Sequence, residues 1–76
     1  MNEKQFIEEI AEIIETDASE LTMESYFRES ADFWSSLTGF SILIFMQDRC
    51  GVNIPVDDFL NMNTVADLYS TTVKEG

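Results

Sequence analysis

From Ser36 to Cys50 the chain reads SLTGFSILIFMQDRC, with no charged residue before Asp48. So apolar a stretch has to be covered by the rest of the molecule. A chain of 76 residues has little to cover it with. It is one small domain, and at this size only about 60–65% of the unfolded surface is buried. Taken alone, Ile42, Leu43, Ile44 and Phe45 suit a buried strand. The wider recurrence of Leu37, Phe40 and Ile44 favours a helix instead, although Gly39 is a poor helix former. Gly51 is a natural C-terminal stop, and Pro55 blocks continuation. At about 100° per residue, Leu37, Phe40 and Ile44 share one face, while Ile42, Phe45 and Met46 share another. Both faces cannot fully meet one core.

The remaining segments are read around this helix. Phe6, Ile7, Ile10, Ile13 and Ile14 recur at spacings of three and four, which predicts an amphipathic helix over residues 3–15. Glu3, Glu8, Glu9, Glu12 and Glu15 fill its other face. Residues 16–35 lack a sustained period and read as a long loop holding at most one short turn. Leu21, Met23, Tyr26, Phe27 and Phe33 are expected to pin this loop to the core, and long ordered loops are often functional. Residues 56–61 suit a short helical turn. Thr64 looks like the N-cap of a last helix, with Val65, Leu68, Tyr69 and Val73 as its apolar stripe and Asp67 in its first turn. No segment alternates for long enough, with a turn signal, to predict a hairpin.

The charge is lopsided. Fifteen acids face four bases and no histidine, for a formal net charge of −11. Such a field repels nucleic acid and anionic membrane and favours partners with basic patches. Without histidine there is no Ser–His or Cys–His pair and no imidazole metal ligand. No glycine-rich phosphate loop is present. Asp57 and Asp58 suit a helix start rather than an acid–base pair. Cys50 is the one cysteine, so no internal disulfide forms, and its apolar neighbours suit an inert packing residue. The first residues carry charges and no long apolar run, and nothing approaches a membrane span. The expectation is a cytoplasmic monomer that is not an enzyme and does not insert into membranes.

One serine stands apart. Ser36 follows a loop and opens the apolar helix, where a phosphate ester would meet free backbone N–H groups and the positive end of the helix dipole. The plain alternative is that Ser36, or Ser35 beside it, merely caps the helix. The residues that follow carry further information: Ser36-Leu37, then Ile54-Pro55, Asp57-Asp58-Phe59, and Thr64-Val65-Ala66-Asp67-Leu68. In this order and spacing the chain resembles the acyl carrier protein family along nearly its whole length.

That resemblance implies an all-α fold, a four-helix acyl-carrier-type bundle with a long loop between helices I and II and a short helix III. It implies 4′-phosphopantetheine attached covalently to Ser36 by a phosphopantetheinyl transferase. Acyl-transferring and synthase enzymes are the further partners. Acyl cargo, held as a thioester on the arm's thiol, would serve fatty acid or specialised acyl or polyketide synthesis. Ile42, Phe45, Met46, Phe59 and Leu68 are then expected to line the core and cargo space. Leu37, Phe40, Ile44 and Trp34 are expected to meet partner enzymes, unless the loop covers both faces of the helix. A peptidyl or aminoacyl carrier of the same fold is a close variant. An unmodified acidic module that binds a basic protein is the reading from another class.

Three departures from the family stand out. Ser35 replaces the usual Asp before the modified serine, although Ser caps a helix about as well. Phe33-Trp34 stands where the family often has Gly and a small residue, and Trp34 is expected to be partly buried. The family's acidic second helix is here neutral: residues 1–35 carry a net −8, residues 36–55 net zero and residues 56–76 net −3.

Overall fold

The computed structural model describes residues 1–72. Helix α1 spans Glu3–Ile14. Asn2 starts it with a capping box, its side chain accepting from the Gln5 N–H at 2.8 Å while the Gln5 side chain accepts from the Asn2 N–H at 3.1 Å. Glu15 ends it by turning left-handed, with φ 61°. That conformation strains a side chain with a Cβ, but it lets the Thr16 N–H reach the Ala11 carbonyl at 2.9 Å. Phe6, Ile10, Ala11 and Ile14 form the buried stripe.

Helix α3 spans Ser36–Cys50, the bounds its local signals predicted. Gly51 closes it with φ 69°, a conformation glycine adopts without penalty, and the Val52 N–H returns to the Met46 carbonyl at 2.9 Å. The two short helices after it are α4, Val56–Leu60, and α5, Val65–Ser70. Helix α1 packs against α3 and α5. The core joins Phe6, Ile10 and Ile14 to Ile42, Phe45, Met46, Val65 and Leu68. Phe6 touches the rings of Phe45 and Tyr69 at centroid distances of 5.8 and 5.2 Å. Val73 lies outside the described residues.

Residues 16–35 differ from a plain loop. They hold a 3-10 turn at Ala18–Glu20 and a one-turn helix, α2, at Phe27–Ser30. An isolated bridge pairs Tyr26 with Thr64. Around it, Phe27 N–H donates to the Asn63 carbonyl at 3.1 Å, Val65 N–H to Ser25 at 3.0 Å and Ala66 N–H to Met23 at 2.8 Å. At the other end, Asp32 N–H donates to the Ile14 carbonyl at 3.2 Å. The segment is therefore tied to both α5 and α1. No strand forms among the described residues.

Two expected anchors are corrected. Leu21 and Phe27 are buried and Met23 is half-buried, but Tyr26 and Phe33 are exposed. Tyr26 gives its backbone to the bridge with Thr64 and turns its ring outward. Phe33 sits on the approach to α3, where Trp34 takes the inward position.

The start of α5 carries a pH-dependent contact. Asp67 accepts from the backbone N–H of Asn63 at 2.8 Å and of Thr64 at 3.1 Å, while Thr64 Oγ1 accepts from Asp67 N–H at 3.1 Å. The Asn63 and Thr64 N–H groups hold the carboxyl below its ordinary 3.8. A lowered folded-state pKa stabilises the fold above the unfolded value and ceases to do so as pH falls through the folded one. Asp67→Asn keeps an acceptor oxygen but loses the charge. The variant is expected to be less stable at neutral pH by about 0.3–1 kcal/mol, the range for a carboxylate in a first helical turn. This gap should close as pH falls below 3.8. Urea unfolding of both proteins at several pH values measures it. A gap that persists unchanged at pH 2 would contradict this role, and relief of carboxylate repulsion affects both proteins alike.

Candidate functional site

The two serines at the head of α3 divide the work. Ser35 is the N-cap, with extended backbone, its Oγ accepting from the Thr38 N–H at 3.4 Å. Its own N–H donates to Thr38 Oγ1 at 3.3 Å, which completes a capping box with a threonine in the usual Glu position. Ser36 is then the first helical residue and is exposed. Its hydroxyl is free of capping duty and open to an incoming reagent.

Ser36 stands in the wall of a mostly apolar groove of about 440 Å³ between α3 and α4. Trp34, Gly39, Phe40 and Leu43 line it from the α3 side, and Val56, Phe59 and Leu60 from α4. Gly39 is buried beneath two rings. A Cβ there would lie 3.3 Å from Trp34 Cζ2 and 3.4 Å from Phe59 Cε2, so the bare backbone lets both side chains settle on the helix.

Arg28 secures this corner. Its guanidinium donates to the carbonyls of Met62 at 2.6 Å and Phe59 at 3.0 Å, at the C-terminal end of α4. A cation is favoured at such a helix end. It also lies 4.8, 5.6 and 5.1 Å from the ring centres of Phe27, Trp34 and Phe59. The Phe27 ring in turn stacks on Phe59 at 5.7 Å and tilts against Trp34 at 5.9 Å. Among the described residues Arg28 has no carboxylate partner; the ion pair formed is Arg49 with Glu9 at 3.6 Å.

The expected site residues fall in three places. Leu37, Phe40 and Ile44 form an exposed stripe on α3, with relative exposures of 75%, 59% and 43%, so the preceding loop leaves this face uncovered. Ile42, Phe45, Met46 and Leu68 are buried in the core and do not line the groove beside Ser36. Phe59 belongs to both core and groove. Trp34 is half-buried and reaches the groove wall. Sequence reasoning missed Arg28, Leu43, Val56 and Leu60. Val56 and Leu60, four apart, share a helical face and were detectable. Arg28 had no local signal, since its hydrogen-bond partners lie 34 and 31 residues away.

Cys50 lies apart from this groove and is half-buried. Burial pushes its thiol above the ordinary 9.0, partly offset by the N-terminal ammonium and Arg49. A raised pKa leaves little thiolate and a poor nucleophile at neutral pH. Asp57 and Asp58 are exposed in the first turn of α4. No described helix is long and apolar enough to cross a membrane.

No family model matches the chain. It is 35% identical to the acyl carrier protein of Thermobifida fusca (strain YX) over 73 residues, covering 91% of each chain. With that likeness spanning nearly the full length of both, this helical chain belongs to the acyl carrier protein family.

Proposed function

We propose that Ser36 carries 4′-phosphopantetheine and that the protein holds acyl intermediates as thioesters on the thiol of that arm. The observation that carries this reading is the division between the two serines. Ser35 makes the capping box, and Ser36 stands exposed and uncommitted at an apolar groove. Modification at Ser36 leaves the cap intact. A phosphopantetheinyl transferase joins the Ser36 oxygen to the arm in a phosphodiester and releases the adenosine bisphosphate part of coenzyme A. The arm supplies a flexible thiol, which the chain lacks at this site because Cys50 lies elsewhere and is disfavoured as a thiolate. The protein is then a carrier and not itself an enzyme, working in the cytoplasm as a monomer for acyl-transferring and synthase enzymes of fatty acid, polyketide or related acyl synthesis. Mass measurement after incubation with coenzyme A and a broad-specificity transferase tests it.

Partner enzymes dock on the stripe of Leu37, Phe40 and Ile44. All three are exposed on the helix that Ser36 opens, and no charge lies between Ser36 and Gln47. Docking through such a face depends on apolar burial more than on electrostatic steering. Leu37→Glu and Ile44→Glu are expected to raise the transferase KM about tenfold each, a loss of about 1.4 kcal/mol, with kcat little changed. Raising the salt concentration should alter the KM of the parent protein little. An unaltered KM in both variants, with folding intact, would remove this face from the docking surface.

A further inference from the structure

We infer, resting on the carrier reading, that Phe33 is a docking contact for the transferase that modifies Ser36. Phe33 and Leu37 are the most exposed large apolar side chains among the described residues, at 71% and 75%. They stand on either side of Ser36 in the chain. The neighbours of Phe33 hold it outside. On one side the Asp32 N–H is tied to the Ile14 carbonyl at 3.2 Å. On the other, Trp34 sets its ring against the buried Phe27 at 5.9 Å, and Ser35 caps α3. With both flanks anchored, Phe33 is presented from a fixed backbone. A side chain held in this way has little freedom left to lose when a partner covers it.

The reaction itself decides what covers Phe33. A transferase that joins a phosphate to the Ser36 oxygen must bring its active site onto that hydroxyl. A specific interface covers about 800 Å² of each partner, which is a disc about 16 Å in radius. Phe33 is three residues from Ser36, and three residues of even fully extended chain span at most about 11 Å. A footprint centred on the Ser36 hydroxyl therefore takes in Phe33 as well as Leu37. Ile44 is eight residues along α3, about 12 Å away at 1.5 Å per residue, and lies nearer the edge. The side chains that contribute most to an interface cluster near its centre, where aromatic rings are enriched. Phe33 is an aromatic ring at that centre. The docking face proposed above on α3 thus continues across Ser36 onto the preceding segment.

The experiment follows transfer from coenzyme A to the full chain by a broad-specificity transferase, read by mass. It compares the parent with Phe33→Ala and Phe33→Leu. Phe33→Ala is expected to raise the transferase KM about tenfold, with kcat little changed, as when a binding contact is lost. Phe33→Leu keeps an apolar side chain and is expected to recover most of that loss. Both variants are expected to fold as the parent does, because the ring is exposed, and circular dichroism checks this. An unaltered KM in folded Phe33→Ala overturns the contact and leaves the carrier reading standing. A parent protein that sediments as a dimer, with Phe33→Ala a monomer, also overturns it, because a second copy then covers the ring. Absence of any mass gain in the parent overturns both the contact and the carrier reading.

Discussion

Ser36→Ala is expected to abolish the gain of one phosphopantetheine from coenzyme A, while Ser35→Ala retains it. The two variants should also differ in stability, and in the opposite sense. Ser35 is the N-cap, bonded to Thr38 through both backbone and side chain, so its loss costs about 1 kcal/mol. Ser36 is exposed at the first helical position, where alanine is well tolerated and the effect stays within about 0.5 kcal/mol. The more stable variant is thus the one that cannot be modified. This crossing separates a chemical role from a structural one, because a folding defect alone would impair Ser35→Ala more. Mass spectrometry and urea unfolding of the two proteins measure it. A mass gain that survives in Ser36→Ala would move the attachment elsewhere and end the assignment.

Phe27→Ala is expected to produce the largest loss of stability, about 3–5 kcal/mol, as for other buried aromatic residues cut to alanine. Phe27 has no exposure, and Trp34, Phe59 and Arg28 all rest on it. At about 0.05–0.15 kcal/mol per residue, a chain of this length has roughly 4–11 kcal/mol to lose. The substitution therefore removes a large share of the whole and loosens the wall beside Ser36 with it. Phe33→Ala, at 71% exposure, is expected to change stability by no more than about 0.5 kcal/mol. Chemical denaturation followed by helical circular dichroism compares the pair. Equal losses in both would mean that Phe33 packs in solution as Phe27 does.

These two phenylalanines show how far the sequence could be read. Both lie in the stretch without periodicity, and both were expected to face the core. Their fates are decided by backbone hydrogen bonds to Asn63, Thr64's neighbour, and to Ile14, at positions remote in the chain. No local pattern encodes such pairings. By contrast, the bounds of α3 and the cap at Thr64 follow from groups within four residues of one another, and these were legible. Helix α1 ends at Ile14, not residue 15, because Glu15 turns left-handed. Nothing in a glutamate announces that turn.

By itself the sequence determined that this chain is helical, that a neutral apolar helix opens at Ser36, and that the ordered motifs resemble those of acyl carriers. Those properties depend on side-chain periodicity, caps and stops, which act over one or two turns. It also showed that Ile42 and Ile44 cannot both fully face one core, and Ile42 was the one expected inside, where the structure has it. Only the tertiary structure decided that Ser35 takes the cap and leaves Ser36 free, and that Leu37, Phe40 and Ile44 stay uncovered. It alone decided that Arg28 pins α4 beneath Trp34. The physical reason is that one face of α3 meets α1 while α4 lies beside another, and such packing is a property of elements apart in the chain.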